Sequence, residues 1–373
     1  MFNKNELINY ERGDKAVKKL VVGLVLMLTL SLLAACGGGS GGGSQSASTP
    51  SSSPSTQQQQ TQQPSSPAAQ KPNYKFKLGH EANDTHVKHM TAEKFKEELE
   101  ARSGGRMTVD IYPSRQLGTE AEMVQQVETG TLDFALISNG YMSSRSESMN
   151  GWFMPFMFEN LSEAAEARQS EAAKQMMKDL EAQGLVGFDV FFAGNRHVLM
   201  KNTEVKTLDD LKGKKLRVPG SPVFQEFWNK IGAGPTPMPL PEVYTSLQTG
   251  VIDGIDVDLD ALLSQKYYEI SKYLILTNHM TFPEVAIGSK IVFDKLDAED
   301  QQIVTEAMLA AVEWGVQKGI ELESSRVEEA KAKGLTVTTL PDIAPFLQVA
   351  REIHDAYAEK NAVIKAFIEQ NKK

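Results

Sequence analysis

The segment LKGKKLRVPGS, Leu211 to Ser221, gathers Lys212, Lys214, Lys215 and Arg217 and ends its charged run at Pro219. Three lysines suit a solvated turn. Arg217 instead falls within a strand pattern, with Leu216 and Val218 on the opposite face. Proline closes that strand, so the guanidinium sits at its carboxyl end, where open α/β sheets place ligands. Arginine offers a planar fork that grips a carboxylate through two hydrogen bonds, which lysine cannot copy. On these grounds a ligand clamp and a structural ion pair with a nearby acid stand level. A second constellation, DGIDVDLD, holds Asp253, Asp256, Asp258 and Asp260. Asp253 suits a turn. Asp256 and Asp258 share strand parity and face one side, toward a ligand hydroxyl, an amine or a cation. Their spacing lacks the glycine at the sixth place of an EF-hand loop, which counts against calcium.

Catalytic patterns are not legible. HEANDTH, His80 to His86, is not a zincin motif, because the second histidine comes six residues after the first. His86 and His89 fit a capping or solvated role on a helix, and His197 and His279 read as structural. No nucleophile elbow or phosphate-cradling loop occurs. The chain therefore reads as a non-enzyme with no catalytic residues, no metal site and no cofactor. A lipid-anchored hydrolase is the enzyme-class rival, and it would need a nucleophile–base pair.

The net charge of −9 falls to about −11 once residues 1–35 are set aside, since they carry five positive and three negative charges. Such an acidic chain is a poor nucleic-acid binder, and an anionic ligand needs a locally basic pocket. Residues 1–35 have a basic start, an apolar run from Leu20 to Leu33 and the ending LAAC, the shape of a secretory signal. That ending resembles a bacterial lipobox, which makes Cys36, the single cysteine, a lipidation site. With one thiol, disulfides and thiol-based pairs are excluded. Together with Cys36, the Gly, Ser, Gln and Pro of residues 37–72 form an expected disordered tether, reaching roughly 30–35 Å.

From Tyr74 onward strands and helices alternate, which predicts an α/β fold with a largely parallel sheet. The strand YKFKLG leads to a helix over DTHVKHMTAEKFKEELEARSGG, with Asp84 as N-cap and Gly104 as stop. RMTVDIYP reads as a strand, the helix through Val124 and Val127 ends at Gly130, and LDFALIS follows as a strand. A helix over 161–183 and the strand LVGFDVFF come next. VETGTLDFALIS repeats in layout as LQTGVIDGIDVD, 120 positions later, too long a period for a solenoid and suited to two similar lobes. Residues 297–333 carry no proline and predict one helix of roughly 55 Å, long enough to span both lobes.

SGGRMTVDIYPSRQLGTEAEMVQQVETGTLDFAL, GNRHVLM, TLDDLKGKKLRVPGS, IGAGPTPMPLPEVYTSLQTGVIDGID and QKYYEISKYLILTNH occur in order. Together they resemble the solute-binding subunits of TRAP (tripartite ATP-independent periplasmic) transporters, the DctP-type family. The resemblance implies a two-lobed, periplasmic-binding-protein-like α/β fold with mixed, mostly parallel sheets and a long helix shared by both lobes. It implies lobe I over 73–193 with 283–322, and lobe II over 194–282 with 323–373. The implied function is capture of an organic acid (dicarboxylate, hydroxy acid or sugar acid) and delivery to the TRAP permease membrane subunits. A lipid-anchored receptor feeding a sensor kinase is the second option of the same class. The family's KxRVP motif puts the carboxylate clamp on Arg217, and its GxR motif adds Arg196. By the same resemblance Glu81, Ser138 and Asn139 edge the pocket and Leu240 supplies an apolar wall. Where many members read DGxENP, this chain has Asp256, Val257 and Asp258, so the family's asparagine contact is missing. The lipobox and tether imply an extracytoplasmic protein held at the cell membrane.

Overall fold

The computed structural model describes residues 71–372. The signal segment, Cys36 and the tether up to residue 70 lie outside the described residues.

Ten strands are present among them: β1 (Tyr74–Gly79), β2 (Met107–Tyr112), β3 (Phe134–Ser138), β4 (Leu185–Met200), β5 (Lys215–Val218), β6 (Gly234–Pro237), β7 (Gly254–Asp258), β8 (Tyr273–Leu276), β9 (Thr281–Ser289) and β10 (Thr336–Thr339). They run in the order β2-β1-β3-β9-β4-β7-β5-β6, with β8 beside β4 and β10 beside β8. Among the described residues, five pairings are parallel and four antiparallel. The antiparallel ones all involve β4 or β9, the two strands that join one half of the molecule to the other. Simple βα alternation predicts parallel neighbours. It cannot anticipate a strand that leaves one sheet and enters the next.

That strand is β4. Its first part, Leu185 to Asn195, pairs with β9, and Arg196 to Met200 pairs with β7 and β8. LVGFDVFF is thus only the first half of a 16-residue strand. The register slips between Phe192 and Gly194, and Gly194 has φ 152°. A Cβ there would lie 2.8 Å from Glu323 Oε2 and 3.1 Å from the Cβ of Asp258, so the crossing requires glycine. The long helix, Ala298–Ala332, runs about 52 Å and packs on helix Val87–Arg102 of lobe I and on helix Leu259–Ser264 and β10 of lobe II.

The repeated motif is a repeated structure. Gly130 (φ 74°) and Gly250 (φ 79°) end their helices in the left-handed region. Asp133 then accepts a hydrogen bond from Lys77 N (2.7 Å), and Asp253 accepts one from Lys215 N (2.9 Å). Each aspartate thereby ties the turn to the neighbouring parallel strand, Asp133 to the middle of β1 and Asp253 to the start of β5. β3 and β7 follow, and each ends in an N-capping residue, Ser138 and Asp258.

Two local expectations give way. His86, not Asp84, caps helix Val87–Arg102, its Nδ1 accepting from Lys88 N. The predicted helix over 161–183 is broken into Leu161–Ala167, Glu171–Asp179 and a 3-10 turn. Ser170 caps the second piece by accepting from Ala173 N, so a serine inside the apolar period acted as a start signal.

Candidate ligand-binding cleft

The carboxyl ends of β1 and β3 in one lobe, and of β5 and β7 in the other, converge on a cavity of about 390 Å³. Parallel pairing within each lobe aims those ends the same way. Glu81, Ser138, Arg196, Arg217, Leu240 and Asp258 all line the cavity. Asn139 and Asp256 do not. Asn139 is buried and donates from Nδ2 to Met149 O, which fixes a neighbouring turn.

Arg217 is 5% exposed. Its Nε and Nη2 donate to Met238 O at 3.0 and 2.8 Å. Among the described residues no carboxylate forms an ion pair with it, and Nη1 has no protein partner. Burial pushes its pKa below the ordinary arginine value, with Tyr267, Glu81 and Asp256 pulling the other way. A buried cation without a counter-ion is costly, and an anion in the cavity would relieve that cost. The lysines of the same segment stay at the surface: Lys212 and Lys215 are exposed and Lys214 is half-buried.

Arg196 has the opposite surroundings. Its Nε donates to Asp256 Oδ1 and its Nη1 to Asp258 Oδ2, both at 2.7 Å, and its Nη2 bonds the Asp256 carbonyl. The Phe282 ring covers it at 4.4 Å. Asp256 also accepts from Trp228 Nε1 (2.6 Å) and meets His279 Nε2 at 2.9 Å. Burial pushes the Asp256 carboxyl up, but His279 and Arg196 outweigh it and hold its pKa at about 2. Asp258 caps helix Leu259–Ser264 through Ala261 N (2.7 Å) as well as holding Arg196. The shared parity of the two aspartates therefore serves a buried arginine, a partner that strand spacing alone does not name.

Lobe I contributes an acidic face. Lys88 is buried, with Nζ 2.8 Å from Glu284 Oε2 and 3.6 Å from Glu120 Oε1. Burial lowers its pKa, but Glu284, Glu120 and Glu81 together more than reverse this and keep it charged. Glu120 accepts from Ser138 N (2.5 Å) and Ser138 Oγ (2.7 Å). One ammonium cannot neutralise three carboxylates. Burial, with Glu120 adding, pushes Glu81 up to about 7, and burial pushes Glu284 up to about 8 despite Lys88. Glu120, Glu284 and Lys88 carried visible but unread signals. Glu284 is a carboxylate inside the otherwise apolar strand TFPEVAIGS, and Lys88 shares the helix face of Thr91, Ala92 and Phe95. Tyr141 and Phe282, also lining the cavity, gave no signal beyond ordinary core aromatics.

The rims touch. A Cβ added to Gly140 would lie 2.8 Å from the Cβ of Pro219, Asn83 Nδ2 donates to Ser264 O (2.6 Å), and Val87 N donates to Asp260 Oδ2 (2.8 Å). The cleft is thus closed. Among the described residues no group of three or more His, Cys, Asp or Glu side chains could hold a metal ion, and no helix is long and apolar enough to cross a membrane.

Comparison with known proteins agrees with this geometry. The family model for bacterial extracellular solute-binding protein, family 7 (DctP), matches residues 78–361. The ectoine/5-hydroxyectoine-binding periplasmic protein of Ruegeria pomeroyi is 34% identical over 74% of this chain and 82% of its own length. The 2,3-diketo-L-gulonate-binding periplasmic protein of Escherichia coli is 29% identical over 79% of this chain and 89% of its own. A TRAP solute-binding protein from Xanthobacter autotrophicus, solved with bound β-D-galacturonate, superposes with a TM-score of 0.75 at 28% identity, covering 79% of this chain and 98% of that one. An α/β molecule of two lobes, a closed interlobe cavity and a family match over most of the folded chain lead to one assignment: the chain belongs to bacterial extracellular solute-binding protein family 7 and is an extracytoplasmic solute receptor of the TRAP type.

Proposed function

We propose that this receptor captures a sugar acid, with Arg217 as the clamp on its carboxylate, and hands it to the membrane subunits of a TRAP permease. The observation that carries the reading is a buried guanidinium at the carboxyl end of β5, facing the cavity with no internal counter-ion. A charge-assisted pair formed in a closed, water-poor cleft is worth more than an exposed one. Closure follows because the ligand binds the closed form better, and the closed lobes present the surface a permease reads. The lobes are taken as 73–193 with 283–322 and 194–282 with 323–373, with β4, β9 and the long helix running from one to the other. Cys36 carries the lipid that holds the receptor at the outer face of the cell membrane; Cys36→Ser should move it from the membrane fraction into the soluble one.

The test is a thermal-shift and calorimetric screen of sugar acids, including D-galacturonate and D-glucuronate. Ligand at a hundred times its Kd adds about 2.7 kcal/mol of stability. Arg217→Ala should abolish that gain, and Arg217→Lys should lose most of it because the fork is gone. An undiminished gain in Arg217→Ala removes the clamp.

A further inference from the structure

The two faces of the cavity differ in what they leave unpaired. On the lobe II face, Arg196 is neutralised by Asp256 and Asp258, so Arg217 is the one cation left for a guest. On the lobe I face, Glu81, Glu120 and Glu284 line the cavity, and Lys88 behind them already serves Glu284 and Glu120. Glu81 is 8% exposed and has no hydrogen bond or ion pair among the described residues. A guest carboxylate therefore has one place to go. A second carboxylate at the far end would meet Glu81 and Glu120 with no unpaired cation among the cavity-lining residues beside it, in surroundings that screen charge weakly. Arg115 acts on Glu81 only from outside the lining. A hydroxyl or ammonium at that end would instead donate to Glu81 and satisfy it.

We propose that the lobe I face, through Glu81 backed by Glu120 and Glu284, fixes the ligand's polarity: the site takes acids with one carboxylate and a hydrogen-bond-donating far end, and rejects dicarboxylates of the same length. Selectivity of this kind comes from a built-in repulsion against the wrong guest. The inference rests on the sugar-acid reading above and narrows it.

D-Galacturonate and D-glucuronate each have a diacid counterpart, galactarate and glucarate, in which C1 carries a second carboxylate and the sugar ring is opened, so shape changes along with charge. Titration calorimetry at pH 8.5, where Glu81 is ionised, of the purified protein and of Glu81→Gln with both pairs tests the inference, the variant separating charge repulsion from ring shape. The uronate should bind at least ~100-fold more tightly than its diacid in the pair that binds. Glu81→Gln should shrink that ratio to about tenfold or less, a change in preference that a merely structural role for Glu81 would not produce. A diacid bound within tenfold of its uronate by the unmodified protein overturns the inference and leaves the Arg217 clamp standing. An unchanged ratio in a folded Glu81→Gln overturns the role of Glu81. No binding of any of the four overturns the sugar-acid reading and this inference with it.

Discussion

Arg196 and Arg217 sit at the same cavity, on β4 and β5, and have opposite surroundings. Arg196 carries its counter-ions inside the protein, two aspartates from β7, and is sandwiched against Phe282. Arg217 is nearly as buried yet bonds only a backbone carbonyl. The difference separates two functions that one residue type can serve: a buried ion pair that fixes where β4 meets β7, and a buried cation whose charge is left to the cleft.

Removing Arg196 should have the largest effect, because two buried aspartates would lose their partner. Arg196→Ala is expected to lower the unfolding free energy in urea by about 3–5 kcal/mol. Arg217→Ala should leave the ligand-free midpoint nearly unchanged and erase the roughly 2.7 kcal/mol gained at saturating ligand. If both variants destabilised the free protein equally, the contrast between the arginines would fail. Gly140→Val tests the rim against Pro219. The added side chain props the lobes apart, so affinity should fall about tenfold or more while the ligand-free midpoint moves little.

The smallest effect is in pH. His80 and His197 are held by burial at about 2 and 3, below their ordinary 6.5, so below pH 6.5 the unfolded state takes up protons that the folded state does not, and this loss of stability disappears as pH rises to about 6.5. Glu81, Glu284 and Glu323 are raised to about 7, 8 and 7 from 4.5, chiefly by burial. The folded state then holds more protons than the unfolded one up to about pH 8, so stability should fall as pH rises from 6.5 to 8.5. Chemical denaturation across that range should show the decline, and Glu284→Gln should flatten it.

Much of the positioning was legible locally. Gly130 announced a helix end, Asp253 announced a turn, and the 120-residue echo announced two lobes. Pro219 put Arg217 at a strand end. What failed to read out were partners from distant segments. Asp256 and Asp258 looked free because the arginine they hold lies on β4, and Glu81 gave no hint that Glu120, Glu284 and Lys88 surround it. The broken helix over 161–183 failed for a different reason: Ser170 competed for the backbone where apolar spacing alone suggested continuity.

The amino-acid sequence by itself determined the chemistry available: one guanidinium in a strand that ends at proline, an acidic chain in which any anion site must be local, and a twice-used turn that builds each lobe. The tertiary structure alone decided which charges cancel. Pairing depends on distances between residues that the chain brings together from far apart, and burial makes each unpaired charge costly enough to matter. Local spacing reports neither quantity, and that is why Arg196 and Arg217, both named by the resemblance, differ in whether carboxylates of the protein already hold them.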